Sequence, residues 1–101
     1  PAPALPPDDA RGRALFIEKC ASCHGEDGQG LRDGDTVVNP PLWGANSYNW
    51  GAGMAQVDKA AAFIRANMPL GEGGSLSVQQ VWDIAWYIDG QVRPQDPRFA
   101  G

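Results

Sequence analysis

The pentapeptide Cys20-Ala21-Ser22-Cys23-His24 constrains this chain more than any other feature. It contains both cysteines of the sequence and its single histidine. Two thiols three positions apart share one side of a helical turn, and the imidazole follows directly. This spacing lets both sulfurs bond to the two vinyl edges of one haem while the imidazole reaches the iron from the same side. Cys-x-x-Cys-His is the attachment pattern of a c-type haem. Competing chemistries fit less well. A thioredoxin-like pair sits beside a βαβ pattern, and none is visible. Structural zinc needs two further ligands, and with every Cys and His spent only carboxylates remain. A disulfide between Cys20 and Cys23 closes a very small loop for little gain.

Length and charge agree with a small haem-holding unit. The 101 residues read as one domain, 1–101, with a proline-rich N-terminal tail over 1–7 and a C-terminal tail over 92–101. So short a chain buries a limited core and often needs a staple. One covalent haem supplies it, together with an apolar disc to pack on. The net charge of −4 speaks against nucleic acid as a partner. The longest apolar stretches are too short to span a membrane, and Asp83 interrupts the strongest. The opening residues, Pro1 to Pro7, do not form a signal peptide and leave a mature secreted form open.

Helical signals dominate the periodicity, and no segment reads clearly as a strand. Asp8 or Asp9 can cap a first helix running to about Cys20, with Ala14, Leu15, Phe16 and Ile17 as its apolar surface. Gly12 inside it suggests a close helix–helix crossing, since glycine otherwise weakens a helix by roughly 1 kcal/mol. Residues 24–55 show little regular pattern, which a loop wrapped around a haem would explain. A second helix is expected from near Gln56 to Asn67, with Val57, Ala60, Ala61 and Ile64 on one face. Pro69 pushes Met68 out of helical conformation. The last helix carries a capping box, Ser77 with Gln80, and a staple, Leu76 with Val81. Its buried stripe is Val81, Ile84, Ala85 and Ile88, and Gly90 can close it in a left-handed cap.

A haem iron needs a partner opposite His24. The candidates are Met54, Met68, Lys19 and Lys59. A thioether raises the reduction potential. Met68 is favoured over Met54 because Pro69 stiffens its loop, whereas Met54 follows the flexible Gly51-Ala52-Gly53. Either methionine could instead be core filler.

Four segments together resemble the class I cytochromes c: Cys20 to His24, Asn39-Pro-Pro-Leu-Trp-Gly44, Met68-Pro-Leu-Gly71, and Asp83-Ile-Ala-Trp-Tyr-Ile88. The resemblance implies an all-α fold wrapped around one covalent haem c. Its N- and C-terminal helices cross where Gly12 and Phe16 meet Ile84 and Tyr87. It implies Met68 as distal ligand and a proline carbonyl accepting from Nδ1–H of His24, Pro40 matching best and Pro41 next. Pro41 to Met54, joined to Ala62 to Gly71, is similar to the electron-accepting haem domain of thiosulfate dehydrogenases and related sulfur-oxidation cytochromes. In that family two haems are present and the catalytic one has a cysteine ligand. Here attachment consumes both cysteines, which argues against thiosulfate chemistry within this chain.

Other residues take secondary roles. Tyr48 and Trp50, in the cluster Asn46 to Trp50, offer an O–H and an N–H to haem propionates, with ordinary loop packing as the alternative. Arg65 is expected to face solvent, and Glu26, Asp27, Asp33 and Asp35 read as solvated loop charges. Trp82 and Trp86 read as core or surface aromatics rather than electron relays. Six-coordinate iron leaves no open site. The expectation is therefore a single-electron carrier and not an enzyme, bacterial and periplasmic, serving redox partners such as a sulfite or thiosulfate dehydrogenase or a terminal oxidase. The alternatives are an electron-accepting domain of a larger sulfur-oxidising dehydrogenase, and a haem enzyme from which Met68 can dissociate.

Overall fold

The computed structural model describes residues 2–39, 41–43, 56–69 and 71–91. In chain order these form α1 (Asp9–Lys19), α2 (Ala21–His24), β1 (Leu31–Asp33), β2 (Thr36–Asn39), α3 (Val57–Asn67) and α4 (Val78–Asp89). α4 is the centre: α1 packs on one side of it and α3 on another. The helical fold expected from the sequence is present.

α1 and α4 start where their capping side chains dictate. The Asp8 carboxylate accepts from the Arg11 amide at 2.8 Å and opens α1. α3 follows Gln56. At α4, Ser77 Oγ accepts from Gln80 N, and the Gln80 side chain accepts from Ser77 N, completing the capping box. Leu76 and Val81 are both buried in the same cluster. The end of α4 differs from expectation. Gly90 closes it with a right-handed φ of −79°, its N–H turning back to the carbonyls of Trp86 and Ile88. Those bonds satisfy the helix end without a left-handed residue.

The core is one cluster. Ala60, Ala61 and Ile64 of α3 meet Val81, Ile84, Ala85 and Ile88 of α4, and Phe16 of α1 is fully buried against them. Burying such a phenyl ring contributes about 1.5–3 kcal/mol. The α1–α4 crossing depends on Gly12. A Cβ there would overlap the Asp83 carbonyl and lie 2.8 Å from Cβ of Tyr87. Phe16 and Tyr87 pack with ring centroids 5.6 Å apart. The crossing thus forms where the family resemblance put it.

The antiparallel hairpin of β1 and β2 departs from the expectation of no strand. Arg32 opposes Val37 and Asp33 opposes Thr36, with a bulge between Leu31 and Arg32. Gly34, at φ +61°, takes the first turn position, which suits glycine. The strands are only 3 and 4 residues long, too short for a legible alternation.

Candidate haem site

The Cys-x-x-Cys-His segment forms a single turn at the foot of α1. Cys20 ends α1, its N–H donating to the Phe16 carbonyl at 2.8 Å. Its own carbonyl then accepts from His24 N at 2.9 Å and Cys23 N at 3.2 Å. Both thiols are free. Cys20 is half-buried against the core cluster, Cys23 is exposed, and His24 is half-buried. Burial, with Cys23 adding to it, pushes the Cys20 thiol up to about 11. The sulfur is therefore uncharged at neutral pH, the state suited to apolar surroundings.

The chain after His24 is tied down bond by bond. Gly25 ends the turn, and Gly30 N donates to the His24 carbonyl at 2.7 Å. Leu42 N donates to the Gly28 carbonyl at 2.7 Å, and Gln29 Nε2 donates to the Trp43 carbonyl at 2.9 Å. A Cβ at Gly28 would lie 2.5 Å from the Trp43 indole, so only glycine lets the ring settle there. Trp43 in turn packs on Phe16 at 5.2 Å and edge-on to Tyr87 at 5.8 Å. Reading the sequence assigned Trp43 no contact. Its neighbour Gly44 and its place in the class I pattern were the available signals, but neither names a packing partner. Asp27 is more than a solvated charge, since its carboxylate accepts from Gln29 N and shapes this loop.

Met68 occupies the position that Pro69 dictates. It follows α3 in extended conformation, φ −120° and ψ 150°, with its N–H on the Ile64 carbonyl at 2.9 Å. It is half-buried and packs against the same core cluster as Cys20, Leu42 and Trp43. Beyond it, Glu72 N donates to the Pro69 carbonyl and Gly74 N to the Arg65 carbonyl, both at 2.8 Å. Lys19 lies 3.7 Å from Glu18, and Lys59 is exposed. Arg65 is exposed, as are Glu26, Asp33 and Asp35; Trp82 is partly buried and Trp86 exposed. Pro40, Met54, Tyr48 and Trp50 lie outside the described residues.

The donor set fits a c-type haem. Two free thiols and an imidazole stand on one turn, and a thioether shares the core that turn rests on. No group of three or more His, Cys, Asp or Glu side chains gathers among the described residues, as a zinc site would require. No described helix is long and apolar enough to cross a membrane.

Comparison with known proteins agrees with this reading and corrects one part of it. Residues 7–88 match the family model described as cytochrome C oxidase, cbb3-type, subunit III. The thiosulfate dehydrogenase of Stutzerimonas stutzeri is 54% identical over 92 residues, covering 91% of this chain and 30% of its own length. That of Thiomonas intermedia is 50% identical over 101 residues, covering 100% and 32%. Among solved structures, the thiosulfate dehydrogenase TsdBA of Marichromatium purpuratum superposes with a TM-score of 0.94 at 57% identity. It covers 100% of this chain and 21% of its own. The sulfane dehydrogenase SoxCD of Paracoccus pantotrophus gives 0.67 at 27% identity, covering 89% and 47%.

This chain thus spans about a third of the length of those curated relatives. The similarity is consistent with electron transfer in sulfur oxidation, but the expectation that the protein is not an enzyme does not stand, because these relatives are enzymes by name. A filled coordination sphere at one iron excludes substrate from that iron alone and leaves chemistry at another centre open. Proteins of this kind carry a covalent c-type haem. With a helical fold that carries the attachment turn at the foot of α1 and 82 consecutive residues under one family model, the chain belongs to the cytochromes c, in the family described as cytochrome C oxidase, cbb3-type, subunit III.

Proposed function

We propose that this chain is the electron-accepting haem domain of a thiosulfate dehydrogenase-type enzyme, working in the bacterial periplasm as a single domain over 1–101. Cys20 and Cys23 would hold the haem covalently, and His24 and Met68 would bind its iron. When bound, the haem supplies a one-electron couple. The observation that carries this reading is the turn Cys20–His24, where two free thiols and an imidazole are fixed by backbone bonds and rest on the core that also takes Met68. The thioether favours the ferrous state and raises the potential, which suits an acceptor. Rigid placement of both ligand-bearing segments keeps rearrangement small on electron gain and loss.

The chain's residues also shape how it meets a redox partner, whether the sulfur-oxidising part of the enzyme or a downstream oxidase. The rim next to the attachment turn includes Ala21, Ser22, Pro41, Leu42 and Gly71, small or apolar groups. Lys19, the cation nearest the turn in sequence, is engaged with Glu18. Docking by apolar fit with little charge steering follows. The test is stopped-flow reduction of the haem-loaded protein by a thiosulfate dehydrogenase during thiosulfate turnover, across a salt series. Reduction with only modest salt dependence is expected. Absence of reduction would remove the sulfur-oxidation assignment, and a steep fall with salt would relocate the docking face.

A further inference from the structure

The loop that follows Met68 folds back onto the helix that precedes it, and Gly73 lies against the last residues of that helix. A Cβ built on Gly73 would overlap the carbonyl oxygen of Ala66, approach its carbonyl carbon to 3.3 Å and reach Cα of Asn67 at 3.7 Å. Ala66 and Asn67 are the last two residues of α3, and Met68 comes next. All three contacts are to backbone, which cannot swing aside as a flexible side chain would. The neighbouring bond from Gly74 N to the Arg65 carbonyl, 2.8 Å, holds the loop in this position and satisfies a carbonyl of the helix end. At the far end of the loop, Leu76 is anchored in the core at 5% exposure.

We propose that Gly73 is a positioning residue for the Met68 thioether. Its missing side chain lets the loop close on the last turn of α3, and this closure sets how far Met68 extends towards the iron. The inference rests on Met68 being the distal ligand, as proposed above. Any side chain at 73 must push apart the loop and the two residues whose backbone leads into Met68. The sulfur then withdraws, and an added ligand competes for its place more easily.

The test compares haem-loaded variants by the far-red sulfur-to-iron band of the ferric form, by reduction potential and by imidazole affinity. Gly73→Ala should weaken or abolish the band, lower the potential and raise imidazole affinity at least tenfold. Gly12→Ala, which disturbs the α1–α4 crossing instead, should lose thermal stability yet keep band and potential; that contrast separates positioning from a general loss of stability. Gly74→Ala strains a residue at φ +83° that has open space around its Cβ. It should keep the band and raise imidazole affinity a few-fold, and it carries the test if Gly73→Ala does not accumulate. Met68→Ala separates the two claims. If Met68→Ala keeps the band, the ligand assignment fails. If Met68→Ala loses it while Gly73→Ala matches wild type in band and imidazole affinity, the positioning role of Gly73 is overturned. Unchanged imidazole affinity in Gly74→Ala, should it be the only glycine variant obtained, overturns it as well.

Discussion

Arg11 on α1 and Asp83 on α4 are joined across the helix crossing, Nε to Oδ2 at 2.9 Å, with Nη2 reaching Oδ1 at 3.3 Å. The carboxylate is almost wholly buried, at 1% exposure, and also accepts from the Asp8 amide and from Gln79 Nε2, each at 3.0 Å. Arg11 extends the same network to the Pro6 carbonyl at 2.9 Å, while Leu5 N reaches Gln79 Oε1 at 2.7 Å. One charged group thus fastens the N-terminal segment, the start of α1 and the middle of α4.

Asp83 makes the protein acid-sensitive. Burial works to raise its pKa, but the hydrogen bonds from Arg11, the Asp8 amide and Gln79 outweigh it, and the group titrates below the ordinary aspartate value. The unfolded chain therefore takes up this proton first as pH falls. The stability Asp83 contributes is complete above about pH 4 and is lost as pH drops through its folded value. Asp83→Asn should cost about 1–3 kcal/mol at neutral pH and flatten the acid limb of a stability-versus-pH curve measured by denaturant titration. An unchanged acid limb would show that other carboxylates govern it.

Gly12→Ala should destabilise by at least 1–3 kcal/mol, the usual range for overpacking, because the added methyl overlaps the Asp83 carbonyl of the facing helix. Thermal melts followed by circular dichroism check this. Ala14→Gly, on the exposed side of α1, offers a scale, since it should cost about 1 kcal/mol from helix propensity alone. A Gly12 variant no worse than that would mean the helices separate without penalty.

The distal ligand is tested by exchange of the two methionines. Met68→Ala should abolish the far-red band and lower the reduction potential, because a soft ligand to ferrous iron is lost. Met54→Ala should leave the band in place. The opposite pattern would assign the ligand to Met54.

Much of this molecule was legible in its residues because the signals were local. Asp8, the Ser77–Gln80 box and Pro69 each fix an end of a helix within a few positions, and each helix begins or stops there. The Cys20–His24 turn is local too. What escaped reading depends on pairs distant in sequence. Arg11 and Asp83 are 72 positions apart, and Asp83 read only as a break in an apolar stripe. Trp43 is held by Gly28 below and by Phe16 and Tyr87 beside it, none of them neighbours in sequence. The return of Gly73 onto Ala66 is equally silent, since a glycine in a loop does not announce what it touches. Local signals also misled once, at Gly90, where right-handed backbone bonds close the helix as well as a left-handed residue would.

The central claim is that one haem is bonded to Cys20 and Cys23, and the intact mass of the protein tests it most directly. Produced with secretion in a bacterium competent in haem attachment, the protein should be heavier than its polypeptide by one haem. The Cys20→Ala, Cys23→Ala double variant should retain no covalent haem. A wild-type mass equal to that of the bare polypeptide would contradict the account.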